Sequence, residues 1–258
     1  MAPRHLLVIG GQRCGTTGLV ALLEAHPDIA MAQPARPEPK VFMSDDLAGR
    51  GLDWYESTYF AHATSEQLLG EKSTSYIEDA GAAGRAWAVL GEAEIVVQLR
   101  DPVKRAVSNW RFSTQHGAED RPLDQALTEN LEGPRDWDRG KTSVSPFAYL
   151  ERGRYTAYLQ PWFDRFPDHV HVRFLEDHLA DPGSIGDLYA ALGIDAAFRP
   201  EHGDKKVNES VGKVPSLDSS SEARLREYFA ASDAELSRRL GRPLPWPTAA
   251  EPDPSPAR

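Results

Sequence analysis

The sequence predicts an α/β fold in which a central, mostly parallel β-sheet is flanked by helices, and three observations point there. The first is "HLLVIG" (His5–Gly10), a short apolar run ending in glycines; Leu19, Leu22 and Leu23 then recur at helical spacing, so strand, turn and helix follow one another. The second is "EIVVQL" (Glu94–Leu99), whose β-branched centre suits a buried parallel strand. The third is length. A chain of 258 residues with 40% apolar and 26% charged side chains suits one ordinary domain better than two small ones, which bury proportionately less surface. That domain is expected at 1–246, with 247–258, "PTAAEPDPSPAR", as a disordered tail.

Taken in order, the first helix opens near Thr16 and stops at His26-Pro27-Asp28, because proline disfavours helix in the residue before it. After the strand at 94–99, Asp101 and Pro102 have the character of an N-cap and a first helical residue, and the helix is expected to run to about Gln115. Residues 117–144 are polar, with only "LDQAL" suggesting a short helix, and are expected to form a mobile lid. "YTAYLQPWFDRF" is an aromatic-rich helical stretch that Pro161 should bend or break. "HVHVRF" alternates as a strand and puts His169 and His171 on one face, which is expected to be solvated or to meet a partner rather than hold a metal, since no third ligand lies nearby. "SSEARLREYFAASDAELSRRLG" is an amphipathic helix closed by Gly241, with an interruption expected around Ser232. No internal repeat is evident.

The formal charge of −10 argues against a protein that wraps nucleic acid by general electrostatics, so an anionic ligand would need a local cationic pocket. "MAPRHLLVIGG" has too few consecutive apolar residues for a secretory segment or a membrane span, and a cytoplasmic, membrane-free protein is expected. Cys14, the single cysteine, excludes an intrachain disulfide and any multi-cysteine metal site; exposed, its thiol would be a chemical probe.

Gly10 and Gly15 have the spacing of G-x-x-x-x-G-K-[ST], but Thr16 stands where the lysine belongs and Arg13 supplies a cation inside the loop. Backbone amides of such a turn and of the helix start attract phosphate with or without lysine. A kinase using magnesium-ATP would want the missing contacts to the outer phosphates, so a donor with a shorter phosphate chain fits better. A tight turn that binds nothing is the alternative. Arg100 at the end of the second strand and Ser108 on the following helix could hold another phosphate, at the sheet edge where α/β folds bind nucleotides. Taken alone, these two residues favour the plainer reading, in which Arg100 pairs with Asp101 or Glu71 and Ser108 fills a small gap.

These residues resemble the sulfotransferases that use 3′-phosphoadenosine 5′-phosphosulfate (PAPS). "GGQRCGTTGLVALLEAHPDI" is similar to their 5′-phosphosulfate loop and "RDPVKRAVSNW" to their 3′-phosphate motif. "EPKVF" (Glu38–Phe42) resembles the E-P-H-F-F segment of the heparan sulfate branch, and "GEKSTSY" its E-K-T-P-x-Y, with "GLDWY" between them; "RYTAYLQPWFDRFP" and "LGRPLPW" follow in family order. The resemblance implies a P-loop-type three-layer fold, PAPS as donor, adenosine 3′,5′-bisphosphate as product, no metal, and a hydroxyl of a carbohydrate or small molecule as acceptor. It places Gly11, Gln12, Arg13, Cys14, Gly15, Thr16 and Thr17 on the 5′ side of the donor, and Arg100 and Ser108 on its 3′-phosphate. "SVGKVP" is similar to the S-K-G-R-x-x-P loop with one residue fewer, which would let Gly212 and Lys213 close over the 3′-phosphate.

By the same resemblance Glu38 is the base that takes the acceptor proton and Lys72 lies near the transferring group; composition alone would make them a solvated carboxylate and half of a surface ion pair. Arg13 occupies a lysine position, and as a poor proton donor it is better suited to stabilising the leaving phosphate than to acting as an acid. Lys40 replaces the histidine of E-P-H-F-F and is expected, with Tyr76, on the acceptor side. Trp54, Trp110 and Trp137, like Tyr76, could stack on a sugar, although at least two of these four aromatics should be core. A small-molecule kinase and a catalytically silent nucleotide-binding protein are the competing functions.

Overall fold

The computed structural model describes residues 4–138, 140, 145–200 and 216–249. Along these residues run β1 (Arg4–Gly10), α1 (Thr16–Glu24), β2 (Ile29–Met31), α2 (Asp45–Ala48), α3 (Leu52–Tyr59), β3 (Leu68–Lys72), α4 (Ala82–Leu90), β4 (Ala93–Leu99), α5 (Pro102–Gln115), α6 (Leu123–Glu129), α7 (Tyr155–Arg165), β5 (Val170–Phe174), α8 (Leu175–Ala180), α9 (Ile185–Ala191) and α10 (Ser219–Leu240). The chain divides into two compact groups, one of residues 1–100 with 158–211, the other of residues 101–157 with 212–258.

The first group is built on a parallel five-stranded sheet in the order β2-β3-β1-β4-β5. Six of the seven β1 residues and all seven of β4 are buried, the pattern of strands covered on both faces. Leu6 and Val8 of β1 pack with Leu19, Leu22 and Leu23 of α1 and with Ile185, Leu188 and Tyr189 of α9. Because β1 lies between β3 and β4, the turn that follows it sits where the strand order reverses, the usual ligand-binding crevice of open α/β sheets.

At the far end of the same sheet Glu94 gathers three cations or potential cations. Arg4 Nη1 lies 2.7 Å from Glu94 Oε1, and His171 Nε2 and His169 Nδ1 lie 2.8 and 3.4 Å from Oε2. The two histidines share a face as the alternation requires, but their partner is this intramolecular carboxylate. Among the described residues no group of three or more His, Cys, Asp or Glu side chains could hold a metal ion. No helix among them is long and apolar enough to cross a membrane.

The second group buries Val103, Ala106 and Val107 of α5 against Leu123, Ala126 and Leu127 of α6, Phe147, Tyr149 and Leu150, and Leu225 and Phe229 of α10. Asp101 caps α5, accepting from the amides of Val103 (2.9 Å) and Lys104 (3.3 Å). The described part of the segment expected as a lid is packed: besides the α6 leucines, Asn130 is buried and bonds the Leu150 amide at 2.8 Å. Glu119, within the segment, is held by the Arg121 guanidinium and by the Tyr149 hydroxyl at 2.8 Å. These contacts join residues distant in sequence, which its polar composition does not reveal; residues 139 and 141–144 lie outside the described set.

Two expected interruptions are corrected. α10 runs unbroken through Ser232, because Leu225, Phe229, Asp233 and Leu236 keep one buried stripe at helical spacing, and it ends at Gly241 in the left-handed conformation. α7 continues past Pro161, anchored beyond it by the fully buried Trp162 and Phe166.

Candidate active site

The turn after β1 is held from beneath by β4. The Gly11 amide donates to the Gln98 carbonyl at 2.8 Å, while Gln98 Nε2 donates to the Cys14 carbonyl at 2.8 Å. Arg100 Nη1 donates to the Arg13 carbonyl at 3.4 Å. Gly15, at φ 79°, is the left-handed residue that turns the chain into α1, and this helix start carries no side-chain cap. The first-turn amides of Thr16 and Thr17 have no intrahelical acceptor available, so at the positive end of the helix dipole they form a cradle for an oxyanion. Gln12, Arg13 and Thr17 are half-buried and Thr16 is buried. Cys14 is fully buried, its thiol 3.6 Å from the Gln12 carbonyl, folded inward by the tight turn.

Beside the turn, β3 ends in Lys72, in register with Val8 of β1, and the Ser73 amide donates to the Val8 carbonyl at 3.2 Å. Lys72 Nζ lies 3.0 Å from Glu38 Oε1, with the two side chains 22% and 19% exposed. That exposure leaves the pair open to a ligand. Glu38 Oε2 also accepts from the Thr74 amide at 3.1 Å and from its hydroxyl at 3.2 Å. The two residues named by separate sequence motifs thus form one ion pair at the same sheet edge as the turn. Lys40 adopts φ 53° and its amide donates to Ser73 Oγ at 2.9 Å.

Under this pair lies Glu71, fully buried and surrounded by hydroxyls. Tyr55 donates to Oε2 at 2.8 Å, and Ser73 and Tyr76 donate to Oε1 at 2.5 and 2.7 Å. Burial pushes its carboxyl above the usual range, against the pull of the three hydroxyls. Tyr76 is itself fully buried, so the expectation that it meets an acceptor is corrected: its ring packs on Phe42 and its hydroxyl lies between Glu71 and the Phe42 amide.

Ser108 is half-buried on α5, in the second group, while Gly212 and Lys213 lie outside the described residues. Trp110 Nε1 donates to the Arg121 carbonyl at 3.0 Å, and both Trp110 and Trp137 pack on the second group's core. Trp54 has the Arg50 guanidinium over its ring at 4.7 Å. Sequence reasoning did not single out Gln98, Ser73 or Thr74, and it treated Glu71 only as a possible partner of nearby cations; of these, only the short spacing of Glu71, Ser73 and Thr74 to Lys72 could have drawn attention.

Comparison with known proteins matches residues 3–211 to a family model described as "Sulfotransferase domain". The chain is 28% identical to bifunctional heparan sulfate N-deacetylase/N-sulfotransferase 1 of Mus musculus, over 93% of this chain and 30% of that protein. It is 27% identical to the bifunctional heparan sulfate N-deacetylase/N-sulfotransferase of Drosophila melanogaster, over 93% of this chain and 26% of that protein. The chain therefore spans less than a third of the length of these relatives. A solved sulfotransferase from Alicyclobacillus acidocaldarius shares the fold, with a TM-score of 0.75 at 24% identity over 95% of this chain and 98% of that one.

Proposed function

The chain belongs to the sulfotransferase domain family, and from that premise we propose that it transfers a sulfuryl group from PAPS to a hydroxyl on a carbohydrate or small natural product. The observation that carries the reading is the Glu38–Lys72 pair, 3.0 Å apart and partly exposed, at the sheet edge that also bears the uncapped start of α1. The donor would supply sulfate as a mixed anhydride with a phosphate, whose bridging oxygen leaves with the phosphate. Glu38 takes the proton of the acceptor hydroxyl as the acceptor oxygen bonds to sulfur; the electrons of the breaking S–O bond remain on the phosphate. The first-turn amides and Arg13 hold that phosphate as its charge grows, and Lys72, its partner carboxylate neutralised, turns toward the developing anion. The family resemblance assigns the 3′-phosphate to Arg100, Ser108, Gly212 and Lys213, and the acceptor side to Lys40. No step calls for a metal.

An amine acceptor is a second reading, favoured by the names of the relatives, which are N-sulfotransferases. A panel of amino-sugar and hydroxyl acceptors with labelled sulfate donor separates the two. The donor is tested by calorimetry: adenosine 3′,5′-bisphosphate should bind more tightly than ATP in the presence of a metal chelator, and a preference for ATP would defeat the assignment. Glu38→Gln should lower turnover about 100-fold or more with bisphosphate affinity nearly unchanged; normal turnover in that variant would remove Glu38 from the role of base.

A further inference from the structure

We propose that Glu71 is a positioning residue that fixes Glu38 through two hydroxyl relays to the backbone of the segment bearing it. This rests on the reading of Glu38 as the base. A hydroxyl has one proton to give and lone pairs with which to accept. The Ser73 hydroxyl gives its proton to Glu71 Oε1 and so accepts from the Lys40 amide at 2.9 Å. The Tyr76 hydroxyl gives its proton to the same oxygen and accepts from the Phe42 amide at 3.2 Å. Reversing either hydroxyl would set two donors face to face, so each relay runs from a backbone amide through a hydroxyl and needs an acceptor at Oε1. The Phe42 carbonyl is tied separately, accepting from Arg85 Nε at 2.7 Å.

Glu71 is fully buried and cannot itself touch substrate. It nevertheless precedes Lys72 on β3, and Ser73, Thr74 and Tyr76 follow within the same short stretch. One piece of chain thus supplies the ion-pair partner of Glu38, the Thr74 bonds to its carboxylate, and the two hydroxyls that hold Lys40 and Phe42. An apolar side chain of similar size would avoid the cost of burying a carboxylate among neutral hydroxyls. The acceptor oxygen is therefore what the position requires.

The test pairs native-state hydrogen exchange with kinetics on the full chain. Glu71→Met keeps the volume and removes the acceptor; Glu71→Gln keeps one acceptor oxygen for Ser73 and Tyr76 and turns its amide toward Tyr55. In Glu71→Met, protection of the Lys40 and Phe42 amides should fall about tenfold or more while the β1 and β4 amides hold. Turnover should fall by a similar factor, adenosine 3′,5′-bisphosphate affinity should stay within about threefold, and Glu71→Gln should restore most of both losses. In a Glu38→Gln background, Glu71→Met should cost little further turnover, because it acts through Glu38. If Glu71→Met does not fold, Tyr76→Phe should release the Phe42 amide alone and Ser73→Ala the Lys40 amide alone. Unchanged protection at these two amides, or an equal loss across the sheet, would overturn the proposal. Normal turnover of Glu38→Gln would overturn only the assignment of the base, since the amide protection still decides whether Glu71 holds the segment.

Discussion

Gly15 carries two demands at once. Its φ of 79° is one that an L side chain adopts at a cost of roughly 1–2 kcal/mol, and a Cβ there would lie 2.9 Å from Leu175 Cδ1 and 3.0 Å from Gln98 Nε2. Gly15→Ala should therefore destabilise the protein by about 2 kcal/mol and weaken adenosine 3′,5′-bisphosphate about tenfold by displacing the first-turn amides. Urea unfolding and calorimetry measure the two effects, and a neutral substitution would mean that the turn is looser than its contacts imply. The glycine was legible in the sequence because spacing and conformation go together. The residues that complete the site were not: Gln98 supports the turn from another strand, and Thr74, Ser73 and Glu71 acquire their roles only when β3 meets the Glu38 segment.

At the scale of elements, legibility followed local chemistry. β1, β4, α5 and α10 announce themselves through unbroken apolar runs, an Asp-Pro start or a long amphipathic stripe. β2, "IAM", has three residues, and β3, "LLGEK", ends in a carboxylate and an ammonium, so neither carries an apolar run long enough to mark a strand; they are strands because β1 offers β3 a partner and β3 offers one to β2. α5 shows how much one terminal residue can hold. Asp101 caps the helix and also takes Arg226 of α10 in a two-pronged pair at 2.8 and 2.9 Å. Asp101→Ala removes the cap and leaves the largely buried Arg226 guanidinium with Glu222 at 3.2 Å, and should cost about 2–4 kcal/mol. Arg226→Leu, which spares the cap and leaves the carboxylate its two amide donors, should cost less. Denaturant unfolding of both variants checks the order; equal losses would mean that the cap contributes nothing of its own.

Across the whole molecule, buried carboxylates titrate in opposite senses, and together they shape stability against pH. Glu119, held chiefly by Arg121 against the cost of its burial, titrates at about 2 rather than 4.5, so the stability it lends is present above its unfolded value and is lost as pH falls toward 2. Asp233 behaves the other way. It sits on the buried stripe of α10 with Oδ2 accepting from Trp246 Nε1 at 3.1 Å, and burial raises its carboxyl from 3.8 to about 6. A raised carboxyl supports the fold fully below its unfolded pKa, and that support is lost as pH climbs from about 4 through 6, because the ionised form is then favoured in the unfolded chain. At about 1.4 kcal/mol per pH unit the loss amounts to at most about 3 kcal/mol at neutral pH. Asp233→Asn keeps an acceptor for Trp246 and cannot ionise, so it should match the parent at pH 4, gain steadily between pH 4 and 6, and stand about 2–3 kcal/mol above it at pH 7. Urea unfolding of the two proteins at pH 4, 5, 6 and 7 measures the difference curve. A flat curve would show that Asp233 titrates in the folded protein as it does in the unfolded chain, and a falling one that the charge is satisfied by partners that asparagine cannot replace.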